Sequence, residues 1–267
     1  MSIRICVAGA TGWTGSAITA GVLLAPDLKL TGAVARRAAG GDIGEAIGAA
    51  PAGVRVSASV EEALQAPTDV LIDYTAPQVV KAHVLTALAH GVRVVVGTSG
   101  LTAADYAEID ETAKARGLGV IAAGNFSVTA ALAKHFALLA ARYLPSWEII
   151  DYAGASKVDA PSGTVQELAE EMGQIKRPEL GMPIEQILGA PRTRGESIAG
   201  IQVHAVRLPS YIIAFETIFG LPDERLTIRH DAGSGAEPYV VGTLLAARKA
   251  MELHGLVRGL DRLLFDE

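Results

Sequence analysis

The chain has 267 residues, half of them hydrophobic and few aromatic, with a formal net charge of −6. This composition excludes a disordered chain, and the acidic balance excludes non-specific nucleic-acid binding, which needs a basic face. The length accommodates one large core or two modest ones, and the single cysteine, Cys6, excludes an intramolecular disulfide.

Ile3 to Ala8 is an apolar run that predicts a strand, with Cys6 as a small core residue. The chain does not open on a charged n-region and apolar h-region, and no apolar segment is long enough to span a bilayer. The expectation is therefore a soluble cytoplasmic protein with no membrane partner. The run ends in Gly9-Ala10-Thr11-Gly12-Trp13-Thr14-Gly15, after which Ala17, Ile18, Val22 and Leu23 supply a helical apolar stripe. Strand, glycine turn and helix in this order predict a dinucleotide site. Glycines permit a tight turn, close approach of backbone to a pyrophosphate and close packing of helix on strand. The candidate cofactor residues are Gly9, Thr11, Gly12, Trp13, Thr14 and Gly15; the alternative is a purely structural turn.

A second strand, Leu28 to Val34, runs into Ala35-Arg36-Arg37. An NAD-preferring site places Asp or Glu here for the ribose hydroxyls, so the two arginines imply NADPH, with NADH as the lesser option. The alternative is that both arginines solvate a loop. Residues 38 to 53, dominated by glycine and alanine, read as a connection without assigned structure. Val70 to Thr75, Val92 to Val96 and Gly119 to Ala123 are further buried strands, separated by the helical stretches Val79 to Ala89 and Ala103 to Ala115. Such alternation predicts a Rossmann-type doubly wound parallel sheet with ligands at the carboxyl ends of its strands. The loops Gly97-Thr98-Ser99-Gly100 and Gly124-Asn125-Phe126-Ser127 read, on their own, as strand-terminating turns.

From Ser127 a helix rich in Ala and Leu leads into a second, α+β domain. Glu148 to Ala153 reads as a half-buried strand, and Val165, Leu168, Ala169 and Met172 mark one face of a helix with Ser162 at its N-cap. The loop between them, Ser156 to Thr164, gathers groups suited to an anion. The amides of Gly163 and Thr164 lie at the start of the helix, and Lys157 adds a mobile positive charge. An ordinary capped helix is the alternative. Ile201 to Leu208, Tyr211 to Phe219 and Arg225 to His230 predict an open antiparallel or mixed sheet, with turns at Pro209-Ser210 and Gly220-Leu221-Pro222-Asp223. A last helix, Tyr239 to Leu253, is expected to return to the first domain. The predicted domains are 1–126 with 239–267, for the dinucleotide, and 127–238, for substrate and oligomerisation. His83, His90, His135 and His254 fall in apparent helices, His204 and His230 in strands, and no metal spacing is recognisable.

The stretch Lys157-Val158-Asp159-Ala160-Pro161-Ser162-Gly163-Thr164 resembles the signature of the dihydrodipicolinate reductase family. Gly97 to Gly100, Gly124 to Ser127, Val203 to Pro209 and Leu226 to Asp231 resemble that family in the same order. The resemblance implies reduction of a cyclic, imine-derived dicarboxylate by NADPH or NADH. It makes Arg36 the cofactor arginine with Arg37 as helper, and Gly97, Thr98, Gly124, Asn125 and Phe126 cofactor contacts. Lys157, Ser162, Gly163 and Thr164 become the substrate residues, and the second sheet the contact of a homotetramer or dimer. A short-chain dehydrogenase is discounted, because no tyrosine is followed by lysine four residues later.

The chain also departs from the family. Ala153 and Gly154 stand where the family carries two adjacent histidines, a proton donor and a substrate contact. Phe215 stands for a further histidine, and Asp231 to Gly235 lack an expected arginine. The expectation is a reductase of a C=N or conjugated C=C bond with an altered substrate. Lys157 is its acid or carboxylate partner, and Tyr152 and Asp151 are replacement donors. The alternatives are the authentic 4-hydroxy-tetrahydrodipicolinate reductase of lysine biosynthesis and a non-catalytic NADPH sensor or partner subunit.

Overall fold

The apolar run at the start of the chain is strand β1, Ile3–Ala8, with Ile5, Cys6, Val7 and Ala8 fully buried. The computed structural model describes residues 2–265. After β1 come α1 (Trp13–Leu24), β2 (Leu28–Val34), α2 (Ile43–Ala46), β3 (Val56–Ser57) and α3 (Val60–Ala63). Then follow β4 (Val70–Asp73), α4 (Val80–Ala89), β5 (Arg93–Val96), α5 (Ala103–Arg116) and β6 (Gly119–Ala122). The second half holds α6 (Val128–Tyr143), β7 (Ser146–Ala153), α7 (Gly163–Ile175), β8 (Glu196–Ile198), β9 (Ile201–Arg207), β10 (Ile213–Leu221) and β11 (Glu224–Ala232). The last elements are α8 (Pro238–Lys249), β12 (Gly255–Arg258) and α9 (Asp261–Phe265). They divide into two units, Met1–Val128 with Ala236–Glu267, and Thr129–Gly235.

In the first unit seven strands lie in the order β12-β6-β5-β4-β1-β2-β3, all paired parallel. Helices on both faces bury such strands twice over, which is why Leu71, Val94, Val95 and Ile121 are all fully buried. Strand order reverses between β1 and β4, the switch point where open α/β sheets bind ligands. The predicted doubly wound sheet is thus present.

The shortest elements escaped sequence reading because they are too brief to show a period: β3, α3, β8, the edge strand β12 and α9. The segment after residue 38 is also ordered. Asp42 caps α2 and accepts from the amides of Gly44, Glu45, Ala52 and Gly53, closing a small loop. Leu23, placed on the buried stripe of α1, is exposed; Thr19, which passes its hydroxyl to the Gly15 carbonyl at 2.8 Å, is buried in its stead. His254 lies in the turn before β12, where Nδ1 faces the Gly117 carbonyl, rather than in a helix.

The second unit is a five-stranded mixed sheet, β11-β10-β7-β9-β8, in which only β7 and β9 run parallel. Along β7 Trp147, Ile149, Asp151 and Ala153 are buried while their neighbours are half-buried, the period of two of a strand with one covered face. The covering helices are α6, through Ala130, Ala133, Ala137 and Ala141, and α7, through the predicted stripe Val165, Leu168, Ala169 and Met172. Fully burying Leu168 contributes about 1.5–3 kcal/mol. The hairpin between β10 and β11 is tighter than the predicted turn, because Leu221 pairs with Glu224 and only Pro222 and Asp223 remain, the latter at φ +60°.

Candidate active site

The glycine turn leaves β1 at the switch point. Its amides at Gly9 and Ala10 donate to the Val34 carbonyl at 2.9 and 3.1 Å, which ties it to the end of β2. Gly9 sits at φ +80°, and a Cβ there would collide with the Tyr74 carbonyl oxygen beyond β4. A Cβ on Gly15 would collide with the Gly9 carbonyl, so glycine at this position is what lets α1 close on the turn. Gly12 occupies the N-cap of α1 without a side-chain cap, and no acidic residue stands in the first turn. The positive end of the helix is therefore open to an anion. Thr11 and Trp13 are exposed and Thr14 half-buried; the Trp13 ring meets Tyr239 edge-on at 6.0 Å. Arg36 and Arg37 form a short turn at the end of β2, both exposed.

The loops after β5 and β6 meet on a residue that sequence reading passed over. A Cβ on Gly97 would collide with the Tyr74 ring, and that ring lies 6.3 Å from Phe126, which is buried. Tyr74 is fixed from behind by a 2.7 Å bond between its hydroxyl and Thr243 of α8, and burial pushes its hydroxyl pKa well above the usual range. Tyr74 thus brings together Gly97 and Phe126 from separate loops. The Thr98 hydroxyl turns inward to Asp73 at 2.6 Å. Gly124 is exposed, and the Asn125 side chain accepts from the Ser127 amide at 2.8 Å, which shapes its own turn. The available signal was a polar Asp73-Tyr74-Thr75 closing an otherwise apolar strand.

In the second unit the loop from Ser156 to Thr164 is organised by Asp151. Its side chain is buried and accepts from the Ser162 amide and the Ser162 hydroxyl, both at 2.8 Å, and from Arg207 at 2.7 Å. Arg207 also donates to the Asp159 carbonyl at 2.8 Å, so one ion pair holds both ends of the loop. Removing one partner of such a pair leaves an uncompensated buried charge. Both Asp151 oxygens are engaged, so its carboxylate organises the loop. Ser162 stands at the N-cap of α7 but gives its hydroxyl to Asp151 instead of capping the helix. The first turn of α7 consequently has no side-chain cap. Among the described residues, nothing beyond its chain neighbours and its own helix backbone lies within 4 Å of a Cβ built on Gly163, so the space beside that turn is open.

Lys157 bonds Asp159 at 2.6 Å, and the lysine bond is the main reason the Asp159 carboxyl sits below its usual pKa. Tyr152 lies on the opposite face of β7 from Asp151. Its hydroxyl donates to Glu216 at 2.9 Å, the Arg229 guanidinium stands 4.8 Å over its ring, and burial, then the Glu216 bond, raises its pKa. Ala153 is fully buried, and a Cβ on Gly154 would stand 3.2 Å from the Tyr211 carbonyl oxygen, a tight contact. Phe215 is buried against His230, ring centroids 5.6 Å apart. His204 faces Glu148 at 2.7 Å, and Glu148 is also paired with Arg194. Among the described residues no cluster of His, Cys, Asp or Glu is arranged to hold a metal ion, and no helix is long and apolar enough to cross a membrane.

A parallel doubly wound unit with an uncapped glycine turn at its switch point, followed along the chain by a mixed-sheet unit, is the architecture of a dinucleotide-dependent enzyme. Residues 3–126 match the family model of dihydrodipicolinate reductase, N-terminus, and residues 126–264 that of its C-terminus. A 4-hydroxy-tetrahydrodipicolinate reductase of Moorella thermoacetica is 40% identical over 266 residues, covering 98% of each chain. One from Thermosynechococcus vestitus is 38% identical over 271 residues, covering 98% of this chain and 97% of its own. A dipicolinate-bound dihydrodipicolinate reductase structure from a Paenisporosarcina species superposes with a TM-score of 0.85 at 31% identity, covering 98% of this chain and all of that one. The chain belongs to the dihydrodipicolinate reductase family. It is an NAD(P)H-dependent oxidoreductase acting on a C=N or C=C bond.

Proposed function

We propose that this reductase uses NADPH to reduce a C=N or conjugated C=C bond of an imine-type substrate other than dihydrodipicolinate. The observation that carries the reading is the pair Ala153 and Gly154, which offer no acid and no carboxylate ligand in a strand that is otherwise family-like. NADPH, when bound, supplies the hydride. The glycine turn from Gly9 to Gly15, with Thr11, Trp13 and Thr14, receives the pyrophosphate at the uncapped start of α1. Arg36, helped by Arg37, takes the 2′-phosphate. Gly97, Thr98, Gly124, Asn125 and Phe126 shape the seat of the nicotinamide end.

On the substrate side, Lys157 is the acid or the carboxylate partner, and the amides of Gly163 and Thr164 cradle an anionic group. Ser162 holds that loop shut through Asp151. Positioned acid catalysis is worth roughly 10² to 10⁴ in rate, so a substrate that arrives already protonated on nitrogen has least need of the missing histidines. Tyr152 keeps its proton at neutral pH but shares it with Glu216, which supports a lesser role. A cytoplasmic homotetramer joined through the open second sheet completes the reading.

A second reading has its own support. The relatives that match over 98% of the chain bear the name 4-hydroxy-tetrahydrodipicolinate reductase, which favours the authentic lysine-pathway activity with Lys157 or water as donor. A sensor without turnover is the third. Purified protein is to be assayed for NADPH and NADH oxidation with the dipicolinate precursor and with a panel of cyclic imines, alongside direct measurement of NADPH binding. Turnover confined to other imines supports the proposal, and turnover of the precursor at rates normal for a metabolic enzyme sinks it. Tight binding of NADPH without any oxidation favours the sensor.

A further inference from the structure

Asp73 closes β4 with a carboxylate that is fully buried, and its ion-pair partner is a histidine, not a lysine or arginine. Burying such a group is costly unless its lone pairs are used. Oδ1 accepts from the Thr75 amide at 3.1 Å, the Thr75 hydroxyl at 2.7 Å and the Thr98 hydroxyl at 2.6 Å. Oδ2 faces His83 Nδ1 of α4 at 2.8 Å. A carboxylate only accepts, so Nδ1 carries the proton. The Thr98 oxygen in turn accepts from the Thr75 amide at 2.8 Å, and the Asp73 carbonyl accepts from the Gly97 amide at 2.9 Å. One buried carboxylate therefore joins the end of β4, helix α4 and the Gly97-Thr98-Ser99-Gly100 loop. The Thr98 hydroxyl has its single proton committed to that carboxylate and has none to give a ligand.

We propose that Asp73, backed by His83, is the positioning residue of this loop: it turns the Thr98 hydroxyl inward, so that Thr98 offers its backbone groups, and not its hydroxyl, to the nicotinamide carboxamide. This rests on the reading that the loop seats the nicotinamide end. The carboxylate holds that hydroxyl in one orientation. His83 fixes the carboxylate from the side away from the loop.

The test compares equilibrium binding of NADPH with that of 2′,5′-ADP, which has the phosphorylated adenosine end and no nicotinamide, and follows the fluorescence of bound NADPH. Thr98→Val and His83→Phe each are expected to weaken NADPH about tenfold, the worth of one well-made hydrogen bond, and to reduce its fluorescence enhancement. Binding of 2′,5′-ADP stays within about twofold, and Thr98→Ser, which keeps the hydroxyl, stays close to the parent. Equal losses for both ligands would mean a merely structural role and overturn the inference, as would variants indistinguishable from the parent. If the parent itself binds NADPH no better than 2′,5′-ADP and leaves its fluorescence unchanged, the nicotinamide seat is wrong and the inference falls with it.

Discussion

Lys157 has two candidate jobs that a single side chain can separate. It stands in an exposed loop, bonded to Asp159, with Arg207 and Asp151 fixing the backbone on either side. Arginine keeps the positive charge and the fork for a carboxylate but holds its proton too tightly to give it away. If Lys157 donates the proton, Lys157→Arg lowers kcat by roughly 10² to 10⁴ with KM little changed, and Lys157→Met lowers kcat and also raises KM. If it only holds a carboxylate, Lys157→Arg retains most of kcat. Steady-state kinetics decides, and NADPH affinity should be the same in all three proteins. A Lys157→Met enzyme within threefold of the parent would remove Lys157 from the site altogether. Asp151 shows what residue-level reading of a sequence misses. Its position in the strand was evident, but its engagement by Ser162 and Arg207 joins residues 11 and 56 positions apart, and no local pattern reports such a pairing.

Among the elements, the turn between β1 and α1 was the most legible, because each glycine there answers to a steric need. Gly15→Ala places a methyl against the Gly9 carbonyl, and backbone cannot swing aside as a long side chain can. Overpacking of this kind costs about 1–3 kcal/mol, so the variant should unfold at lower denaturant and lose NADPH binding, while a control such as Gly91→Asn, at φ +74° with no neighbour within 4 Å of its Cβ, should keep it. Equal NADPH affinity in Gly15→Ala would show that the turn is not the pyrophosphate seat. Long periodic elements were equally readable: β1 and β2 have the predicted bounds, and the buried stripe of α7 is the predicted one. The short elements β3, β8 and β12 were not, since two to four residues cannot display a period and their pairing is supplied by distant strands. Tyr74, which brings Gly97 and Phe126 together, escaped: both of those loops were named from the resemblance, but nothing in either one signals the ring between them.

At the scale of the whole molecule, stability should depend on pH through groups buried in their less charged form or locked in their charged one. Burial holds His230 below its ordinary pKa of 6.5, beside the Thr129 hydroxyl at 3.0 Å. The unfolded chain binds that proton more readily, so the contribution is intact above about pH 6.5 and is lost as pH falls toward the folded value. Denaturant unfolding at intervals between pH 7 and 5 should show stability falling by at most about 1.4 kcal/mol per pH unit from this group. His230→Gln should flatten that slope. Asp69, held low chiefly by its bond to Arg4, acts further down: its contribution is full above the free value of 3.8 and is lost below it. Cys6, fully buried with its thiol pushed up to about 12, should react with alkylating reagents only after unfolding. Substrate choice belongs to this scale too. An internal competition reports it most directly: one vessel with the dipicolinate precursor and a set of cyclic imines at equal concentration, deuterium-labelled NADPH as donor, and mass spectrometry of the products. The absence of an acid at Ala153 and Gly154 predicts deuterium in an imine product and little in tetrahydrodipicolinate. Deuterium found chiefly in tetrahydrodipicolinate would contradict the altered substrate and return the chain to the activity its relatives are named for.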